Sequence, residues 1–158
     1  MKQLVSALCF LCAVIYTGSV RAADQQAMTI EGSYLLLQND KYQRVLSFDR
    51  GGNVAQISDE QSLIGFTEGL GAWKQIGPNQ IQARVIDFSF DPKSGKRIGP
   101  SLIVYDLTFT DLKSGHYQKV NGSFSGKVFS LGENPLASEK PAIQSFGIGF
   151  KGKRVSFK

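Results

Sequence analysis

The feature that most constrains this chain is an alternation of apolar and polar side chains with a period of two, which recurs along most of its length. This period is typical of β-strands, because successive side chains of a strand point to opposite faces of a sheet. No stretch after residue 22 sustains the three-to-four spacing of an amphipathic helix for long. The five prolines lie between the apolar segments, where they mark turns. The pattern predicts an all-β fold.

Eight segments carry the strand pattern, and turn-forming residues separate each segment from the next. The predicted strands are residues 29–38, 42–48, 53–58, 72–76, 80–91, 101–111, 117–131 and 142–155. The clearest turn is 49–52, since its two glycines can adopt the positive φ angles of a tight hairpin. Segment 59–69 is less regular, and it is interpreted as either a long loop or one helical turn.

The connections between these strands are mostly short, so consecutive strands are expected to be neighbours. This order predicts an eight-stranded antiparallel up-and-down β-barrel, because closure removes the exposed strand edges. A two-sheet sandwich is the alternative, but a Greek key needs a long return connection that we do not find. The apolar phase changes near Val85 and Ile86, and again after Val128. We therefore predict a β-bulge in each of these two strands, since one extra residue would restore a common inward face.

Residues 1–22 have the pattern of a secretory signal peptide, with an early cation at Lys2, an apolar run over 4–16 and small residues before position 23. We expect this segment to be cleaved, which leaves one barrel domain over residues 23–158. The apolar run is too short to span a bilayer. Cys9 and Cys12 would leave with it, which excludes a disulfide, a thiolate metal site and a catalytic cysteine. The formal charge would fall from +5 to +3 as Lys2 and Arg21 are removed. The expected location is the periplasm or the exterior of a bacterial cell.

A barrel of about eight strands holds either a filled core or one small ligand. Large rings dominate the side chains that we expect to point inward, and such a lining suits an apolar or aromatic ligand. The candidate ligand-binding residues are Tyr42, Arg44, Trp73, Phe88, Phe90, Tyr105 and Phe124. Arg44 shares its phase with apolar neighbours, so it either faces inward with a partner such as an anionic head group, or is turned outward by a bulge.

Other chemistry has little support in the sequence. His116, the only histidine, lies in a predicted hairpin turn without the nucleophile turn of a serine relay. We predict no metal site, no cofactor and no catalytic residue, since a zinc site would need thiolate ligands or imidazole ligands beyond His116, and no glycine-rich phosphate loop is present. The small positive charge and the expected export argue against nucleic acid as a partner. Asp87 is interpreted either as a buried acid with a raised pKa or as an outward-facing residue.

Residues 30–34, Ile-Glu-Gly-Ser-Tyr, resemble the glycine and aromatic motif that opens the first strand of lipocalin-like (calycin) barrels, with Tyr34 at the usual tryptophan position. The resemblance implies structural roles for Gly32, Tyr34 and Arg154, with Tyr34 closing one end of the barrel beneath an arginine of the last strand. The segment 69–78 and the strand that follows it are similar to small secreted bacterial lipocalin-like proteins of mostly unassigned function. This similarity covers about residues 28–153.

Three functional hypotheses follow. The first is a secreted, non-enzymatic barrel that binds a small apolar or amphipathic molecule. The second is a barrel isomerase or cyclase similar to allene oxide cyclases, with Asp87 or a tyrosine as the acid or base. The third is a scaffold whose loops, 59–69 and 132–141, contact a protein partner.

Overall fold

The computed structural model describes residues 30–156, and in this range the chain forms one closed antiparallel barrel. Each strand pairs with its neighbours in sequence, and the first strand also pairs with the last. The elements are β1 Gly32–Gln38, β2 Tyr42–Phe48, β3 Asn53–Ser58, α1 Gln61–Ile64, β4 Gly69–Gly77, β5 Gln80–Phe90, β6 Arg97–Lys113, β7 His116–Val128 and β8 Gln144–Arg154. The predicted eight-stranded up-and-down barrel is confirmed. The expected signal peptide, 1–22, lies outside the described residues.

The strands agree with their predicted positions, and the differences are at their ends. β4 begins three residues early, at Gly69, and β6 extends beyond both predicted ends because β5 and β7 continue to pair with it. β7 ends at Val128 instead of residue 131. The irregular segment 59–69 contains the helical turn α1, which ends at Ile64 and is capped by Gly65 with a φ of 82°.

The two predicted bulges are wrong. β5 keeps strict alternation, with Ile81, Ala83, Val85 and Asp87 all buried, and its register with β4 and β6 is unbroken around Val85. The alternation of β5 does not need to change at Asp87, because Gln56 on β3 donates a hydrogen bond to the Asp87 carboxyl and stabilises it inside the barrel. As a result Phe88, which we expected inside, is 60% exposed.

The second predicted bulge is also absent, since β7 pairs regularly with β8 from Lys119 to Val128. β7 ends at Val128, so the apolar residues that follow are not part of the strand and do not have to match its alternation. The register shifts that do occur lie between Gln75 and Gly77 in β4 and between Ser89 and Phe90 in β5. Both are near strand ends, where the pairing finishes.

Aromatic rings fill one end of the barrel, which we call the closed end. The ring of Phe109 packs against those of Tyr34, Phe48 and Tyr117, with centroids 5.1, 6.1 and 6.0 Å away. Tyr34 and Phe109 are fully buried. Offset and edge-on contacts of this kind are the favourable arrangements for aromatic rings. This end of the interior is therefore packed solid.

The last strand covers the closed end with Arg154. Its guanidinium lies 5.6 Å from the centre of the Tyr34 ring, and its Nη1 donates a hydrogen bond of 3.1 Å to Tyr34 Oη. Gly32 has a φ of +122°, and a Cβ atom at this position would lie 2.5 Å from Arg154 Nη2. Glycine therefore provides both the backbone angle and the space that the arginine occupies. The structure brings together Gly32, Tyr34 and Arg154.

Candidate functional site

The opposite end of the barrel contains a cavity of about 350 Å³, which we call the open-end cavity. Ile64 and Phe146 are both partly exposed at its edge, so they mark the mouth. Its apolar lining consists of Ile64, Gly65, Phe66, Ile103, Phe124, Val128, Phe146, Gly147 and Ile148. Its polar lining consists of Gln38, Arg44, Glu60, Asp87, Ser89, Ser101 and Gln144. An apolar wall with a few polar groups is typical of sites for small molecules.

Arg44 points into the barrel and is only 5% exposed. The interpretation that it faces inward is therefore confirmed, and the outward alternative is wrong. It lies on β2 in phase with Leu46 and Phe48, both of which are buried. Its Nη1 donates hydrogen bonds to Tyr105 Oη at 2.5 Å and to Gln56 Oε1 at 3.3 Å. These internal hydrogen bonds offset part of the free-energy cost of burying the guanidinium.

Two further kinds of contact hold the Arg44 guanidinium. Its Nη2 lies 3.9 Å from Glu60 Oε2, and its plane lies 4.7 Å from the ring centre of Phe124 and 5.7 Å from that of Phe66. Cations are attracted to the faces of aromatic rings, most strongly where water is excluded. Arg44 therefore has a charged, a polar and an aromatic partner within the protein.

Tyr105 and Gln56 connect Arg44 to the other side of the barrel. Tyr105 Oη donates a short hydrogen bond to Gln56 Oε1, and Gln56 Nε2 donates to Asp87 Oδ2 at 3.0 Å. Burial raises the pKa of Tyr105 to about 12, with the neighbouring Arg44 opposing that rise. Tyr105 therefore keeps its proton at neutral pH and acts as a fixed hydrogen-bond donor.

Asp87 is 2% exposed and lines the cavity, which corrects the outward-facing interpretation. Burial raises the pKa of its carboxyl to about 6, while Ser101, Arg44 and Gln56 partly oppose this effect. The Ser101 hydroxyl is hydrogen-bonded to Ser89 Oγ at 2.7 Å. Asp87 Oδ1 has no hydrogen-bond partner among residues 30–156. A buried acid with a raised pKa and a free oxygen is a common feature of functional sites.

Glu60 and Gln38 complete the polar part of the cavity. Gln38 Nε2 donates to Glu60 Oε2 at 2.9 Å, and the Glu60 backbone N–H donates to Ser58 Oγ at 3.3 Å just before α1 begins. Within the described part of the chain, Gln38 Oε1 and Arg44 Nε also have no hydrogen-bond partner. Three side chains that line this cavity thus each have one buried polar atom without a hydrogen-bond partner.

The structure brings only some of the predicted ligand-binding residues together. Arg44 and Phe124 line the cavity, and Tyr105 contacts Arg44 and the ring of Phe124 from further inside the barrel. The other four, Tyr42, Trp73, Phe88 and Phe90, do not line it.

Each of these four residues lies elsewhere for a local reason. Trp73 packs on Phe48 at the closed end, and its Nε1 donates to the Asp49 carbonyl at 3.1 Å. Tyr42 is half-buried beneath the amino group of Lys41, which lies 4.7 Å from its ring centre. Phe88 points outward because β5 keeps its alternation, and Phe90 is half-buried beyond the register shift. The expectation that Phe88 points inward is wrong, whereas Trp73 packs against the core as an inward ring should.

Sequence reasoning missed the polar residues of the site. Gln38, Gln56, Glu60 and Ser101 were not singled out, although Gln38 shares its phase with Leu36 and Gln56 shares its phase with Val54. A polar side chain at an inward position of a strand was the available signal. The sequence alone does not show which such positions meet at one end of the barrel.

Residues 30–156 contain no cluster of three or more His, Cys, Asp and Glu side chains that could hold a metal ion. In the same range no helix is long and apolar enough to cross a membrane. His116 is exposed where β7 begins.

Comparison with family models, with curated proteins and with solved structures finds no match to this chain.

Proposed function

We propose that this small barrel binds a small amphipathic molecule in the open-end cavity. The observation that carries the proposal is the cavity itself: about 350 Å³, with an apolar wall and a buried polar floor. This volume is near the lower limit for small-molecule sites, roughly 300 to 1,000 Å³. The resemblance to secreted lipocalin-like proteins and the signal-like segment 1–22 agree with a binding protein of the periplasm or the cell exterior, which is part of the proposal.

The cavity has an apolar part and a polar part, which would contact the tail and the head of an amphipathic ligand. Phe124, Phe146 and Ile148 provide an apolar surface on one side, and the rings of Phe124 and Phe146 are in edge-on contact, 6.1 Å apart. A hydrocarbon or aromatic tail would gain free energy by leaving water for this surface. Arg44 and Asp87 lie at the buried end, so the polar head of the ligand would point inward.

The test uses the neutral fluorescent dye N-phenyl-1-naphthylamine, whose emission increases in apolar surroundings. We expect the protein to bind one dye molecule, and Phe146→Ser to weaken binding about tenfold, since it removes a large apolar contact at the mouth. The matched control is Phe88→Ser, which changes the same residue type on the outer surface of the barrel. Phe88→Ser should leave the affinity unchanged. Absence of saturable binding, or equal weakening by both variants, would contradict the proposal.

One observation favours a second candidate, a barrel isomerase or cyclase. Asp87 has a pKa of about 6 and an unpaired oxygen at the cavity, as expected of a general base that abstracts a proton beside a carbonyl. Its probe is 3-cyclohexen-1-one, whose conversion to the conjugated enone is followed by ultraviolet absorbance. Catalysis by the wild type that is lost in Asp87→Asn would support this candidate. A rate equal to that in buffer would argue for binding alone.

The scaffold hypothesis has weaker support. In the segment 59–69, Leu63 and Ile64 are exposed on α1, whereas Phe66 is buried against the Arg44 guanidinium. Because Ile64 and Phe66 line the cavity, this segment is better explained as part of the mouth.

A further inference from the structure

Three buried polar atoms around the open-end cavity have no hydrogen-bond partner within residues 30–156. They are Gln38 Oε1, Arg44 Nε and Asp87 Oδ1, on side chains that are at most 5% exposed. An unpaired buried polar group costs free energy, so such groups are uncommon in folded proteins. Their concentration at one cavity indicates which hydrogen bonds a ligand would supply.

The chemistry of these atoms favours a head group that donates. Gln38 Oε1 and Asp87 Oδ1 are acceptors, and only Arg44 Nε is a donor. An anionic head group would have no hydrogen to offer to either oxygen. A primary ammonium group carries three N–H donors and can reach more than one acceptor.

The charges of the cavity point the same way. Arg44 is its only cation, whereas Glu60 and Asp87 are both carboxyl groups. Arg44 is already paired with Tyr105, Gln56 and Glu60 inside the protein. With both carboxyls ionised the lining is net negative, and a cationic head group would balance it.

We infer that the head group of the ligand is a primary ammonium that donates to Asp87 Oδ1, while its apolar tail lies along Phe124 and Phe146. This inference rests on the proposed function and specifies its ligand class, an amine with a hydrocarbon or aromatic tail. The hydrogen bond is charge-assisted and shielded from water, which makes it stronger than a neutral one.

The binding of such an amine depends on pH through Asp87. The charged or titratable groups that face it are Arg44 on β2, Glu60 before α1 and Tyr105 on β6, whereas the cavity residues of β7 and β8 carry none. Burial raises the pKa of Asp87 to about 6, so its carboxyl is ionised at pH 7.5 and mostly protonated at pH 5. The affinity for an amine should therefore fall about tenfold between pH 7.5 and pH 5.

The experiment compares octylamine, octanol and octanoate, which share one tail, as competitors of N-phenyl-1-naphthylamine. At pH 7.5 we expect octylamine to bind at least about tenfold more tightly than octanoate. Only octylamine should weaken at pH 5. Tighter binding of octanoate at pH 7.5 would overturn the inference and leave the proposed function intact. Failure of all three compounds and of the dye would instead refute the proposed function.

Two matched variants locate the effect. Asp87→Asn keeps the size of the side chain but removes its charge, and it should abolish the preference for octylamine and its pH dependence. Asp106→Asn makes the same change on the outer face, where Asp106 accepts a hydrogen bond from Gln82, and should leave both unchanged. A preference retained in Asp87→Asn would overturn the inference. If this variant does not fold, as judged by circular dichroism, the wild-type comparison at the two pH values decides.

Discussion

The two ends of the barrel each contain an arginine that contacts a tyrosine, and they differ in what surrounds that pair. At the closed end Arg154 donates to Tyr34 Oη at 3.1 Å and lies over its ring, with aromatic rings filling the space below. At the open end Arg44 donates to Tyr105 Oη at 2.5 Å, but two carboxyl groups and a cavity lie beside it. An arginine–tyrosine pair thus covers a packed core at one end and lies beside a cavity at the other.

The difference also appears in the buried polar atoms. In the described part of the chain, four buried side-chain polar atoms have no hydrogen-bond partner, and three of them belong to residues of the open-end cavity. The fourth, Glu31 Oε1, lies just before β1 and is 3.9 Å from Arg50 Nε. Packing of aromatic rings stabilises the closed end. The open end keeps polar groups in an unfavourable state, as binding sites often do. The two ends therefore differ in packing: one is filled by aromatic rings, and the other keeps the cavity that we propose as the binding site.

Removing a ring from the closed end should have the largest effect on stability. Phe109→Ala would leave a cavity among Tyr34, Phe48 and Tyr117, and we expect the free energy of unfolding to fall by about 3–5 kcal/mol. The measurement is urea unfolding followed by circular dichroism. The affinity for N-phenyl-1-naphthylamine, measured below the unfolding transition, should not change. A loss of dye affinity without a loss of stability would contradict the division between the two ends.

The pH dependence of stability tests the open end. The pKa of Asp87 is raised in the folded protein, so the folded state binds its proton more tightly than the unfolded state does. Its contribution is therefore present below the unfolded pKa, near 4, and is lost as the pH rises through about 6. The loss is on the order of 3 kcal/mol, from a pKa difference of about two.

Asp87→Asn removes this contribution, because asparagine does not titrate. The difference in unfolding free energy between wild type and variant should therefore change by that amount between pH 3.5 and pH 7.5, in favour of the variant at the higher pH. Urea titrations at several pH values measure it. A constant difference would show that Asp87 titrates normally in the folded protein.

A smaller effect is expected where Arg154 packs over Gly32. Gly32→Ala would place a Cβ atom 2.5 Å from Arg154 Nη2, at a φ of +122° that alanine rarely adopts. We expect a loss of about 1–3 kcal/mol in unfolding free energy. Gly95→Ala is the control, since Gly95 also has a positive φ, +69°, but no atom lies within 4 Å of the added Cβ. Equal losses in the two variants would mean that displacing Arg154 costs nothing.

The barrel was predictable from the sequence because its signals are local. Turn residues separate the strands, and of the two glycines in the 49–52 turn, Gly52 adopts the positive φ that was expected. Short connections between consecutive strands then leave an up-and-down order as the simplest topology. Strand ends were less predictable, since β6 continues for as long as its two neighbours pair with it.

The cavity was only partly predictable, because it depends on contacts between distant strands. Asp87 and Gln56 are 31 residues apart, and their hydrogen bond permits a carboxyl at an inward position. The sequence does not show this contact. The usual preference of phenylalanine for the interior therefore led us to predict a bulge that would turn Phe88 inward. The alternation of each strand was enough to predict Arg44 and Phe124 as residues of the cavity. The positions of Gln38 and Gln56 near the same cavity become visible only when the barrel is closed and distant strands meet.

Closure of the barrel also reduces the risk of aggregation from large apolar side chains that are exposed on its outer surface. Leu70 and Phe88 lie on the outer surface of the barrel, and in an open sheet such residues beside an unpaired strand would invite other chains to add to it. Here every strand, from β1 to β8, is hydrogen-bonded to a neighbour on each side over at least part of its length. Along these paired stretches, self-association by strand addition, the usual first step toward fibrils, would require one of the eight ladders to open first.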